Sequence, residues 1–340
     1  MHYLTNVIQT INKDYPHLGE LVAVCMLATK ARKCLLVAAP RGCGKSRASA
    51  YIGKEHPQPS IKDRISAAGL GAYQDEFTGF TGVVIVDDLA KTQSRYARVA
   101  TMTTIAELVY SHYVHSGMQG SKYDIVDFYG AALVNVQPVL LKELVKSDEW
   151  EASMQDKSMR YYHLYRPQKP NPDMPLLKLD WGFDFAKVAR PKLDGKLAHH
   201  LLRLGESQWG LARTQEHISD LLKAAAALDK RDKVQQADYA LLSKVLRPMG
   251  IESVVTGKNS LESDRFFFSN RLAILVEYYT YGAFTLEQIS RDYKLSQSQC
   301  RRIIETEHRD WELVKKNPTT YAPSESLLNE LRLVGLLRGG

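Results

Sequence analysis

Four short apolar runs stand out in the first half of the chain, at residues 34–39, 83–86, 131–136 and 161–165. Aliphatic and β-branched runs of this length, bounded by turn formers, predict strands buried on both faces of a parallel sheet. Between them, residues 46–53, 96–114 and 139–146 have helical character, and the alternation predicts an α/β domain. A fifth strand is expected between residues 57 and 77, at a position the pattern does not fix.

The second half reads differently. Residues 167–175 carry four prolines, which can continue neither a helix nor a central strand, so a linker is expected there. Residues 193–249 are helical in pattern, with Ile218, Leu221, Leu222, Ala225 and Leu228 recurring at three and four residues. A second polar linker, 256–264, precedes a compact C-terminal module. Three units follow: an α/β core at 1–167, a helical unit at 176–255, and the module at 263–340.

Composition narrows the choices. A chain of 340 residues exceeds what one core usually holds, which agrees with several units. The longest apolar run, residues 21–29, is far short of the roughly 20 residues of a membrane span, and no cationic, apolar leader opens the chain. No membrane partner and a cytoplasmic location are expected. Cys25, Cys34, Cys43 and Cys300 show no paired spacing, so neither a disulfide framework nor a zinc site is suggested. His199-His200 lacks a second ligand cluster. The formal charge of +7 favours a polyanionic partner.

The chemistry concentrates in Ala39-Pro40-Arg41-Gly42-Cys43-Gly44-Lys45-Ser46-Arg47, which follows an apolar strand and precedes a helical segment. This is the context a phosphate-binding loop requires. Gly42 and Gly44 let successive N–H groups and the next helix's N-terminus face phosphates. Lys45 is expected to reach the β- and γ-phosphates of ATP, and Ser46 to give its hydroxyl to Mg²⁺. Residues 83–86 end in Asp87-Asp88, a candidate acidic pair: Asp87 for the Mg²⁺ shell, Asp88 to polarise the attacking water.

Together these motifs resemble the AAA+ superfamily, over about residues 6–246. The resemblance implies an α/β P-loop NTPase core with a parallel sheet, a helical lid and ATPase activity. Asp88 stands where members usually carry Glu, and the shorter side chain implies slow hydrolysis. Asn135, at the end of the strand expected beside the loop strand, resembles sensor 1. An Asn that caps the helix beginning near Pro138 is the alternative. Arg160 occupies the place of an arginine finger, offered to a neighbouring subunit, with Lys157, Arg166 and Arg190 as competitors. Arg213 opens a helix in a run like the lids of MoxR-type and MCM-type proteins and matches sensor 2. A homo-oligomeric ring or filament is implied.

In the C-terminal module, residues 264–279, 285–293 and 296–307 read as three helices, followed by a hairpin with a basic tip. This is the pattern of a winged helix-turn-helix. Gln297, Gln299, Arg301 and Arg302 on the third helix, and Lys315 and Lys316 on the wing, are the candidate DNA contacts. Asp292, Glu305, Glu307, Asp310 and Glu312 nearly cancel the local positive charge, which leaves a protein-binding role open. The basic stretch through the first fifty or so residues, including Lys13, Arg32 and Lys33, is open between a nucleic-acid face and a solvated one.

The expected function is ATP-driven action on DNA, as a helicase loader, initiator, translocase or transposition regulator. A helicase or recombinase is the expected kind of protein partner. The alternatives are a MoxR-like protein remodeller and a slowly hydrolysing nucleotide switch.

Overall fold

A computed structural model describes residues 2–62, 65–87, 89, 94–118, 121–145, 147, 149–166, 177–256, 267–306 and 310–337. Two helices open the chain, α1 (Tyr3–Asp14) and α2 (Leu18–Lys30). The core continues with β1 (Cys34–Ala38), α3 (Lys45–Glu55), β2 (Pro59–Lys62), α4 (Gln74–Phe77), β3 (Val83–Val86) and α5 (Arg95–Ser111). A hairpin follows, β4 (Val114–Met118) and β5 (Ser121–Ile125), then β6 (Ala131–Val136), α6 (Pro138–Val145) and β7 (Ser158–Tyr162). Helices α7 (Gly195–Glu206), α8 (Leu211–Leu228), α9 (Gln236–Val245) and α10 (Ile251–Thr256) form the helical unit. The C-terminal module comprises α11 (Phe267–Tyr281), β8 (Phe284–Thr285), α12 (Leu286–Tyr293), α13 (Gln297–Thr306), β9 (Trp311–Lys316), β10 (Thr319–Pro323) and α14 (Glu325–Leu333).

The core is an α/β structure around a five-stranded sheet in the order β2-β3-β6-β1-β7, with every pairing parallel. The fifth strand, whose place the sequence left open, is β2 at the sheet's edge. β1 is buried at every position because it has a strand on each side and helices on both faces. Leu35 and Val37 face one apolar core with α1, α2, α3 and α8, whereas Cys34, Leu36 and Ala38 face the other with α5 and α6. The apolar run 21–29 lies within α2, which is buried along nearly its whole length between the sheet and α8. A helix covered on all sides is apolar on all sides. Among the described residues, no helix is long and apolar enough to cross a membrane.

β7 begins at Ser158, three residues before the start expected at 161. Polar residues hid its first half: the Ser158 hydroxyl donates to the Met154 carbonyl, and Arg160 is wholly buried. All five guanidinium donors of Arg160 are used inside the chain. Nε and Nη2 form a fork on Glu252 at 2.9 and 2.8 Å, Nη1 donates to the carbonyls of Gln155 and Ser158, and Nη2 also reaches the carbonyl of Gln208. The Trp150 ring lies under the guanidinium.

This open edge of the sheet is closed by side chains of the helical unit. The Gln208 carboxamide accepts from the Arg160 N–H at 2.9 Å and donates to its C=O at 2.6 Å, as a neighbouring strand would do. Trp209 Nε1 donates to the Ser158 carbonyl at 2.7 Å. A second tie holds the chain's beginning: buried Asp238 accepts from His2 and from the Arg231 fork, so the run 230–238 acts as a structural clasp.

The C-terminal module pairs its strands β8-β10-β9 antiparallel. It is not set apart from the core. Leu272, Leu275 and Val276 of α11 share one continuous apolar cluster with α6, α10 and the β1 face. The linker expected at 167–175 lies outside the described residues, as does nearly all of that at 256–264. The β4–β5 hairpin, α1, α2 and α14 went unpredicted as elements.

Replacing Arg160 with Ala strands a buried carboxylate at Glu252. Urea denaturation of Arg160→Ala is expected to show a loss of about 3–5 kcal/mol. A loss below about 1 kcal/mol would mean that the edge is held by Gln208 and Trp209 alone.

Candidate functional site

Parallel pairing sets the site. Ala38 lies beside Val136 and Tyr162, so the carboxyl ends of β1, β6 and β7 share one edge, with that of β3 beyond β6. The loop after β1 turns there. Gly42 and Gly44 both have positive φ, 79° and 85°, and a side chain at Gly44 would also press on Leu18. No side chain caps α3, so its first-turn N–H groups open onto the loop. Lys45 Nζ lies inside the loop on the carbonyls of Ala39 and Pro40, the latter at 2.9 Å. Arg41, Gly42 and Ser46 are exposed, while Pro40 and Cys43 are buried. Arg47 lies over the Tyr15 ring.

Asn135 joins α3, the helix after the loop, to the acid strand. It stands level with Val37 on β1, and its Nδ2 donates to Ser49 of α3 at 2.8 Å and to Asp87 Oδ1 at 3.3 Å. Its Oδ1 is buried with no hydrogen-bond partner. A loop with two left-handed glycines, a half-buried Asp87 and this unpartnered carbonyl oxygen suit a phosphate group with its Mg²⁺. Asp88 lies outside the described residues. His163 hydrogen-bonds to the Cys43 main chain, and burial, with Lys45 and His17 nearby, pulls its pKa down to about 3.

Two of the expected hydrolysis arginines are elsewhere. Arg160 is the buried tie described above, and a guanidinium with five occupied donors has none to offer a second subunit. Arg213 is at the opposite end of the sheet. The N-terminus of α8 is held by Asp156, which precedes β7, and Arg213 itself packs on Tyr110 near the end of α5 and pairs with Glu216. A five-residue strand separates that end from the loop by roughly 17 Å. Of the competitors, Lys157 pairs with Glu107 and Arg190 is exposed, whereas Arg166 lies against the loop. The sequence signal for Arg166 was only its place after β7.

A cavity of about 730 Å³ is lined by Tyr15, His17, Tyr165, Lys244 and Pro248 among others, and by Arg166, which also lies against the loop. His17 and Tyr165 stack at 3.5 Å between ring centroids. This cavity joins the α1–α2 turn to the end of α9 and was not foreseen, because its walls come from segments far apart in sequence.

In the C-terminal module, Gln297, Gln299, Arg301, Arg302, Lys315 and Lys316 are all exposed. Gln299 is already engaged: its Oε1 accepts from the Ser296 N–H at 2.9 Å, so it caps α13. Two of the acids counted against a basic face point inward, Asp310 onto Arg271 and Asp292 towards Arg166. Among the described residues, no group of His, Cys, Asp and Glu is arranged to hold a metal by itself.

Glu277 of α11 is fully buried, and burial raises its pKa from 4.5 to about 7, against the pull of Arg166 and with the push of Asp292. Tyr293 of α12 completes its surroundings. A carboxyl group raised on folding contributes stability that is complete below pH 4.5 and lost as pH rises through about 7. Melting temperatures of wild type and Glu277→Gln are expected to draw apart over that window, with wild type falling; parallel curves would refute it. The chain matches no protein-family model, and no curated protein is significantly similar to it.

Proposed function

We propose that the chain binds ATP and Mg²⁺ at the loop 39–46 and hydrolyses the nucleotide in the service of DNA, as an AAA+ protein with a C-terminal winged helix. The observation that carries this reading is Asn135, which bridges the helix after the loop and Asp87 at the carboxyl edge of a parallel sheet. Lys45 leaves the carbonyls of Ala39 and Pro40 for the β- and γ-phosphates, a move that exchanges two neutral acceptors for anionic oxygens. Ser46 and Asp87 would hold the metal, which would supply positive charge against the phosphates. The cavity between the α1–α2 turn and α9 takes the base.

The DNA side of the proposal rests on exposed Arg301, Arg302, Lys315 and Lys316, and on the inward turn of Asp292 and Asp310, which leaves the face more basic than its sequence. A specific observation favours a second reading, the slowly hydrolysing switch. Arg160 and Arg213, the two arginines assigned to hydrolysis, both stand away from the loop.

Steady-state ATP hydrolysis with and without single-stranded and double-stranded DNA separates these readings. DNA is expected to stimulate turnover, and Lys45→Ala to lower it by roughly 10²-fold. ATP binding without turnover supports the switch. Turnover with no salt-sensitive DNA affinity supports a protein remodeller and sinks the DNA reading.

A further inference from the structure

Arg166 stands between the loop and the C-terminal module. Arg166 Nη1 lies 3.8 Å from where a Cβ on Gly42 would be. Its Nη2 is 3.3 Å from Glu277 of α11, its Nε 3.9 Å from the Asp292 carboxylate of α12, and Nη1 donates to the Asp292 carbonyl at 3.1 Å. The guanidinium also rests over the Tyr293 ring at 4.6 Å. Its electrostatic reach extends into the loop: the buried Cys43 thiol, raised by burial to about 11, is drawn back first by Arg166 and then by Lys45.

The pairing is ionic but poorly directed. Arg166 Nε and Nη2 and both oxygens of Glu277 are buried without a hydrogen bond of good geometry. Contrast Arg160, in the same chain, whose every donor is placed. A largely buried guanidinium with one directed bond, from Nη1 to the Asp292 carbonyl, and ionic contacts for Nε and Nη2 is open to capture by a stronger anion, and phosphate oxygens offer its planar fork both charge and directed acceptors.

We propose that Arg166 is a phosphate-contact residue for nucleotide bound in the loop, and that the Glu277–Asp292 pair of the C-terminal module competes with the phosphates for it. Resting on the reading of the loop as an ATP site, this makes nucleotide occupancy and docking of the module alternatives for one guanidinium. When phosphate takes Arg166, Glu277 is left buried without its counter-charge, which weakens the contact of α11 and α12 with the core.

The test is calorimetric titration of the full chain with Mg²⁺ and ATPγS, for wild type, Lys45→Ala, Arg166→Gln, Arg166→Lys and Glu277→Gln. Arg166→Gln is expected to weaken binding about tenfold or more, the worth of one charge-assisted hydrogen bond. Glu277→Gln is expected to tighten it, since the competitor is gone. A purely structural role moves both variants the same way, so opposite signs are the signature; should Arg166→Gln fail to fold, Arg166→Lys keeps the charge and loses the fork. Hydrogen exchange of α11 and α12 is expected to rise on nucleotide binding in wild type. Unchanged affinity in both the Arg166 and Glu277 variants, with binding abolished in Lys45→Ala, overturns the inference and leaves the nucleotide site standing. No nucleotide binding by wild type overturns both.

Discussion

The architecture depends on how the open edge at β7 is closed. A parallel sheet ending in an unpaired strand exposes a row of N–H and C=O groups, and here the missing neighbour is supplied by one side chain, Gln208, with Trp209 beside it. The same few residues carry Arg160, whose fork on Glu252 draws in α10. Sheet, helical unit and the approach to the C-terminal module are therefore joined at one buried point. Burying an arginine is costly unless each donor is met, and each is.

The carboxyl ends of the strands meet at the other end of the sheet. The loop after β1 and the acid after β3 come together because β6 lies between their strands and presents Asn135 towards both. The helical unit meets the neighbouring cavity through the end of α9 and the turn after it, while its long helix α8 runs back along α2 and delivers Arg213 to the far side. Among the cations at the loop are Lys45, from its own helix, and Arg166, four residues past the end of the strand that Gln208 caps.

Two arginines in one chain illustrate opposite designs. Arg160 is saturated with directed hydrogen bonds and acts as a fixed tie. Arg166 faces two carboxylates at ionic distance with donors unspent, a state that a new anion can change. Of the two, Arg166 is the one that stands between the loop and the C-terminal module.

By itself, the sequence determined what depends on neighbours along the chain. The strands β1, β3 and β6, the loop with Gly42, Gly44 and Lys45, the helix after it and the helix-hairpin order of the C-terminal module all follow from local periodicity, turn chemistry and caps. Polar residues that are satisfied only at long range defeated the same logic: Ser158 and Arg160 disguised the start of β7, and the all-apolar α2 carried no amphipathic stripe. Tertiary structure alone decided which arginine meets the loop. Arg160, Arg166 and Arg213 are equivalent as letters, and they differ in whether Glu252, Glu277 or Tyr110 waits across a packed interface. A charge takes its role from the partner that burial forces upon it, and that partner lies about 90, 110 or 100 residues away in the chain.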